Sequence, residues 1–448
     1  MPNPAFHALA ETPSNGDPSL HRVLIVGGGA GGLRLASLLG AKLGKHHKAS
    51  ITLLEPSRIH VWKPLLHEVA SGSLDSETDS LELLAHARER HYRYRIGAMV
   101  GLDRAKRQVH VAPSVDEEGE TIIPPRVLGY DTLVVAVGSM SNDFGTPGVR
   151  EYAIALDTLD QAARFNRRMI NACLRANAQY EPLKPGQLHC AIIGAGATGV
   201  ELAAELHKSM RDLVSYNLDR INFDMHIKID LIEAAPRILP ALPESLATAT
   251  AEVLRGLGVN IRTGRRVMEL RAGEVVLDGG EVVPAELIVW AAGIKAPDYL
   301  RNLDGLETDR INRLVVRPAL QTTKDDDIFA IGDCANCILP GMKEPLPPTA
   351  QVAHQQAGFM IGVINKRLRG EPLTEFKYRD YGSLISLADY GTLGIIFKNV
   401  KLQGLIARLT YQGLHKRHLR ALHGSFKVAL DTLVHAITRR TEPRIKLH

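Results

Sequence analysis

Cysteine is scarce, with four in 448 residues at Cys173, Cys190, Cys334 and Cys337. So few build no disulfide framework and suit a reducing compartment. Long apolar runs are missing too. No stretch approaches the roughly 18 consecutive apolar residues of a membrane-spanning helix, so none is expected. Residues 1 to about 20 are rich in Pro, Ala, Ser and Asn; without the apolar core of a signal peptide they read as a disordered tail. Aromatic residues make up only 5% of the chain, and they do not interleave with its basic stretches, which counts against a nucleic-acid surface. The histidines are scattered without the spacing of zinc ligands, so no metal is expected.

Glycine, in contrast, recurs in one phrase written twice. VLIV (Val23 to Val26) reads as a buried strand, and Gly27, Gly29 and Gly32 then fill G-x-G-x-x-G. Ala191-Ile192-Ile193 leads in the same way into Gly194, Gly196 and Gly199. The first glycine allows a tight turn, the second lets backbone approach a pyrophosphate, and the third lets helix and strand pack closely. The helix N-terminus offers free N–H groups and a positive dipole end to the anion. A lone phrase of this kind is weak. Each copy here, however, is followed by a helical stretch and a second strand ending in an acid, ITLLE at Glu55 and IKIDLIE at Glu233, where a ribose hydroxyl pair is bound in such units. Glu233 lies farther from its glycines than the usual spacing of about 20 residues, so an elongated helix or an insertion is expected over 206–223. Two dinucleotides are implied, and the natural pair is one flavin and one nicotinamide with hydride passing between them.

The length suits two or three domains. Each half later carries another apolar strand ending in glycine, YDTLVVAVGS with Gly138 and Ser139, and LIVWAAG with Gly293. A polar stretch over 103–130 reads as a small β insertion, and 372–400 as strands of a third, smaller unit. A further strand in QTTKDDDIFAIGDC ends at Gly332-Asp333, where an acid can accept hydrogen bonds from a polyol.

The order GGGAGG, VVAVGS, IGAGATG, WAAG, IGD resembles the two-dinucleotide flavoproteins that include glutathione reductase. The resemblance implies an α/β fold with two Rossmann-like domains and non-covalent FAD, with Asp333 on the ribityl chain, Glu55 on the flavin adenosine ribose and Glu233 on the NADH ribose. Disulfide reductases of that group carry a cysteine pair soon after the first fingerprint, or a CxxC near the flavin in the second half. Here no cysteine precedes Cys173, and Cys334 and Cys337 read as small residues in a helix-starting turn. Cys173 and Cys190 do not match the pattern of sulfide-oxidising relatives, so electrons are expected to leave the flavin directly for an external acceptor.

HVWKPLLHEVASGSLD (His60 to Asp75), SNDFGTPGV, ATGVELAAELH, ILPALP, VWAAGIKAPD, LQTTKD and AQVAHQ together resemble the type II NADH dehydrogenases, the single-subunit NADH:quinone oxidoreductases, over almost the whole chain from Val23. The ending PRIKLH is similar to the proteobacterial branch. The resemblance implies hydride transfer from NADH to FAD and two electrons to membrane ubiquinone or menaquinone, without proton pumping. It places Gln351 at the quinone pocket, Glu201 near flavin and nicotinamide, and Trp62-Lys63-Pro64 as a flavin wall. From the residues alone, Gln351 and Gln355 lie one turn apart on a helix face and their amides suit a quinone carbonyl or the flavin edge, or simply solvent. Glu201 reads plainly as an acid favoured by a helix N-terminus.

The expected division is a tail over 1–20, an FAD domain over 21–145 and 310–380, an NADH domain over 146–309, and a C-terminal membrane-association region over 381–448. Residues 401–448 carry a charge of +8, against −3 for the rest. Leu419, Leu422, Phe426, Leu430, Leu433 and Ile437 form one helical stripe among Lys and Arg, as in a helix lying on an anionic membrane surface. The same stripe would also serve packing on the body or pairing in a homodimer. The implied place is the cytoplasmic face of the inner membrane. Two rival functions are a reductase of a soluble ferredoxin-type acceptor and an NADH-sensing flavoprotein.

Overall fold

The structure, a computed structural model, describes residues 19–74, 80–396, 400–404, 406–407, 409–411 and 413. The apolar C-terminal stripe, most of the expected tail and Asp75 lie outside the described residues.

The written repeat is also a structural repeat. Its first copy is β1 (Arg22–Val26), α1 (Gly32–Leu39) and β2 (Ser50–Glu55). Its second is β3 (His189–Ile193), α2 (Ala197–Val214) and β4 (Lys228–Glu233). Val23 to Val26 and Cys190 to Ile193 are all buried, which is why these strands read as continuous apolar runs rather than alternations. In the first sheet β1 lies between β2 and the strand Thr132–Val135, all parallel. In the second, β3 lies between β4 and Leu287–Trp290, again parallel. Strand order is therefore duplicated along with sequence. In both sheets the chain departs from the central strand to opposite sides, and that reversal leaves a crevice at the carboxyl ends where dinucleotides bind.

Two compact units contain these sheets. One comprises 19–62, Ser80–Met140 and Ile294–Arg379; the other comprises 63–74, Ser141–Gly293 and the described residues from 380 onward. The first holds an eight-stranded sheet extended past Thr132–Val135 by Asp325–Ala330 and shorter strands. The polar insertion forms a three-stranded antiparallel sheet, with a hairpin pairing Ser114–Val115 to Thr121–Ile123. The second unit holds a five-stranded parallel sheet and a separate antiparallel sheet, Val267–Arg271 to Val282–Pro284. Strands Gly382–Ser386, Thr392–Ile396 and Val400–Gln403 form a small antiparallel sheet where strands were expected over 372–400, but they group with this second unit and make no third one.

The units differ from the expected division at 63–74, at 141–145 and at 294–309, and the described residues from 381 onward join the second unit rather than standing apart. The segment 63–74 belongs with the second unit because its helix, Leu66–Ser71, packs on Leu159–Ala178 and on α2. The buried Asn166 side chain donates to Ala70 O at 3.3 Å there. Return to the first unit comes at Ile294, well before 310, since Ala296 N donates to Ile311 O at 2.8 Å. The long second connection arises as expected: α2 has 18 residues, and a short helix, Phe223–His226, precedes β4.

Candidate functional site

Each fingerprint loop is shaped by backbone that stands too close for a side chain. Gly27 and Gly194 both have φ of +101°. A Cβ on Gly27 would stand 2.4 Å from Ala136 O, and one on Gly194 would stand 2.7 Å from Ala291 C and O. A Cβ on Gly32 would meet Gly27 O at 1.9 Å, and one on Gly199 would meet Gly194 O at 2.0 Å. The middle glycines differ: nothing lies within 4 Å of the Cβ position at Gly29 or at Gly196. That open space above a helix N-terminus fits a pyrophosphate approaching the backbone.

The strand-end acids hold these loops from below. Glu55 Oε2 accepts from Gly28 N at 2.5 Å and Oε1 from Ser57 N at 3.1 Å. Glu233 Oε2 accepts from Ala195 N at 2.7 Å and Oε1 from Ala235 N at 2.8 Å. Each carboxylate oxygen has a second lone pair, which suits ribose hydroxyls. Burial raises the Glu55 pKa above its usual range, against the opposing pull of the Gly28 and Ser57 amides.

In the first unit Ser139 Oγ donates to Asp333 Oδ2 at 2.8 Å, which joins the ends of two neighbouring strands. Gly138 and Gly332 both have positive φ, +70° and +71°. Sequence reasoning missed Gln356. Its side chain is 1% exposed, and its Oε1 accepts from Gly332 N at 2.7 Å, fixing the loop before Asp333. The signal was present as the third glutamine of AQVAHQQ. Cys334 and Cys337 do not open a helix: Cys334 ends a single 3₁₀ turn and Cys337 ends the strand Ala335–Cys337. Burial pushes their thiols up to about 12 and about 11, so both are protonated and poor nucleophiles at neutral pH.

Helix α3 (Ala350–Leu368) carries Gln351 and Gln355 as expected, and the Thr349 side chain caps it by accepting from Val352 N. It packs on α1, and a Cβ on Gly31 would lie 3.4 Å from Ala353 Cβ. Gln351 Nε2 donates to Tyr378 Oη at 3.0 Å. Gln355 bonds the backbone of Arg379 in both directions, giving 2.8 Å to its O and 3.0 Å from its N. Tyr378 and Arg379 were not singled out in the sequence. Trp62 meets the His354 ring edge-on at 5.3 Å.

In the second unit Gly293 has φ of +61°, and a Cβ there would fall 2.3 Å from the Phe144 ring. Lys63 groups with this unit, its Nζ 3.5 Å from Asp157 Oδ1. Glu201 lies beyond the first turn of α2, so the helix dipole is not what it serves. It is 7% exposed, and its Oε1 accepts from Ser386 N at 2.9 Å. Burial, reinforced by the Glu68 and Glu205 carboxylates, pushes its pKa up to about 8 despite that bond. His67 Nδ1 lies 3.9 Å from Glu201 Oε2, and burial pushes the His67 pKa down to about 4. Burial disfavours both charged forms, so two neutral groups face each other near pH 7. A neutral carboxylic acid titrating near working pH is suited to giving and taking a proton.

The family model described as pyridine nucleotide-disulphide oxidoreductase matches residues 21–357. The type II NADH:quinone oxidoreductase of Haemophilus influenzae is 40% identical over 96% of this chain and 100% of its own. That of Staphylococcus aureus is 29% identical over 84% of this chain and 90% of its own. Among solved structures, NDH2 of Plasmodium falciparum in complex with NADH superposes with a TM-score of 0.79 at 19% identity, covering 95% of this chain and 100% of that one.

The Glu201–His67 pair predicts opposite pH limbs of stability. Between its ordinary value of 4.5 and about 8, folded Glu201 keeps a proton that the unfolded chain has lost. Its contribution is therefore full below the lower value and lost as pH rises through the upper. His67, lowered from 6.5 to about 4, contributes fully above 6.5 and loses that contribution as pH falls through about 4. Thermal melts should show Tm falling between about pH 6.5 and 8, and Glu201→Gln should flatten this limb and steepen the acid one below about 6.5, where the two contributions otherwise oppose each other. An unchanged alkaline slope in the variant would assign the limb to another group.

Proposed function

This chain belongs to the type II NADH:quinone oxidoreductases, and from that membership we propose that bound FAD takes hydride from NADH and passes two electrons to a membrane quinone. The observation that carries the reading is the 40% identity to such an enzyme over essentially both full chains. FAD and NADH are the two dinucleotides, and the two open glycine loops suit one each.

In this reading the first unit holds FAD. What favours it is the Ser139–Asp333 pair, a hydroxyl and a carboxylate that suit a ribityl chain and sit at the ends of strands adjoining the fingerprint. Glu55 takes the adenosine ribose, while Glu233 takes the ribose of NADH in the second unit. Glu201 holds a proton in a dry setting and exchanges it with the reacting groups. Gln351 offers an amide N–H to a quinone carbonyl, and its bond to Tyr378 fixes the rotamer that does so. Gln355 anchors the segment at Arg379. Trp62 borders the flavin.

The quinone is ubiquinone or menaquinone, reached at the cytoplasmic face of the inner membrane. No helix among the described residues is long and apolar enough to cross a membrane. Attachment is assigned to the anionic surface through residues 401–448, whose charge of +8 is concentrated beside apolar residues.

Gly32→Ala should abolish flavin retention, with loss of the yellow chromophore on purification. Gly199→Ala should keep the flavin and weaken NADH binding by more than about tenfold, since the two clashes lie in different loops. The opposite pattern would exchange the two assignments. Purified protein should oxidise NADH much faster with a ubiquinone analogue than without. In stopped flow, Gln351→Ala should bleach with NADH at a near-normal rate and reoxidise with quinone about tenfold more slowly, as for one lost hydrogen bond. Equal slowing of both phases would give Gln351 a flavin-supporting role. Full-length protein should sediment with anionic vesicles more than with neutral ones, and less as salt rises. Loss of this preference would remove the surface assignment.

A further inference from the structure

Arg237 follows Glu233 by four residues, where a cation would be well placed to receive the 2′-phosphate of NADPH. Its geometry points elsewhere. Nη1 donates to Leu239 O at 2.9 Å and, more weakly, to Ile238 O at 3.4 Å. Nη2 donates to Pro240 O and to Leu242 O, both at 2.9 Å. A guanidinium has two N–H bonds on each terminal nitrogen, so these four carbonyls use all of them and leave only Nε. Bidentate capture of a phosphate needs two parallel N–H bonds of the fork.

The loop held in this way touches the fingerprint. Leu239 is 1% exposed and has φ of +48°, a conformation that persists in a leucine only where its surroundings impose it. Its N–H donates to Ala195 O at 2.7 Å. Ala195 lies between Gly194 and Gly196, and its own N–H donates to Glu233 Oε2 at 2.7 Å. The peptide groups on both sides of Ala195 are therefore pinned, one by the acid and the other by the loop that Arg237 folds around itself.

We propose that Arg237 is a positioning residue: by closing the loop 238–242 it sets the second glycine loop for the pyrophosphate of either nicotinamide dinucleotide, and it leaves the choice between NADH and NADPH to Glu233. This rests on the reading that the second unit takes NADH. A pyrophosphate gains most from amides already oriented toward it, so loosening the brace costs affinity irrespective of a 2′-phosphate.

The test is titration calorimetry of the flavin-loaded protein, its flavin first reduced with dithionite so that no hydride can move, with NADH, NADPH and ADP-ribose, comparing wild type, Arg237→Ala, Arg237→Lys and Glu233→Gln. Arg237→Ala should weaken all three ligands together, by about tenfold, while the NADPH-to-NADH ratio stays within about twofold. Arg237→Lys keeps the charge but not the fork and should behave in the same way; it carries the test if the alanine variant shows no melting transition. Glu233→Gln should narrow the ratio. Selective loss of NADPH in the Arg237 variants would make Arg237 a phosphate ligand and overturn the proposal. Wild-type affinities in Arg237→Lys would overturn it too. If Glu233→Gln leaves every affinity unchanged while wild type binds NADH, the placement of NADH in the second unit fails, whatever Arg237 does.

Discussion

At the carboxyl end of each parallel sheet, two stretches of backbone come too close for any side chain to stand between them. Ala136 O under Gly27, and Ala291 beside Gly194, are two of these approaches. They exist because β1 and β3 are central strands whose neighbours on one side end at the same level. Around this constraint the rest is arranged. The positive φ at the first glycine turns the chain, the third glycine seats the helix on the turn, and the second is left facing open space. Glu55 and Glu233 then use backbone amides of the loops to hold that shape before any ligand arrives. A site oriented in advance loses less entropy on binding.

Charge within each unit is handled by pairing it or by suppressing it. Glu233 is paired with two amides. Glu201 is deeper, with one amide and two further carboxylates nearby, and there burial prevails and the acid stays protonated. His67 beside it is held neutral for the same reason. Water would have ionised the carboxyl at neutral pH; its removal leaves a proton poised near neutrality. The buried thiols show the other result of burial, since it pushes Cys334 and Cys337 up and keeps them protonated at neutral pH.

Helix α3 distributes three amide side chains over three tasks. Gln356 points to the Gly332 loop, Gln355 to the Arg379 backbone and Gln351 to the Tyr378 hydroxyl. A single helix thereby ties the strand end that carries Asp333 to the segment at 378–379. Amides suit this because each can donate and accept without carrying a charge that would have to be solvated.

The sequence by itself determined the two β–α–β–acid units, the glycines within them, the strand ending at Gly332-Asp333 and the long second connection. Those features are local, and backbone that must turn with positive φ or admit a close neighbour accepts little but glycine. Helix α3 was legible too, in the placing of Gln351 and Gln355 one turn apart on a helix face. What only the tertiary structure decided depends on partners remote in the chain. The segment 63–74 joins the second unit because of what its helix packs on, which no local pattern records. Glu201 looked like an ordinary helix-terminal acid; its proton is kept by burial, against the pull of the Ser386 amide 185 positions away. Gln356 could not be told from its neighbours until its amide was seen on Gly332 N. Arg237 read as a cation open to a phosphate, and the fold turned its donors inward, because the same guanidinium can serve either an anion or four carbonyls and only the path of the loop selects between them.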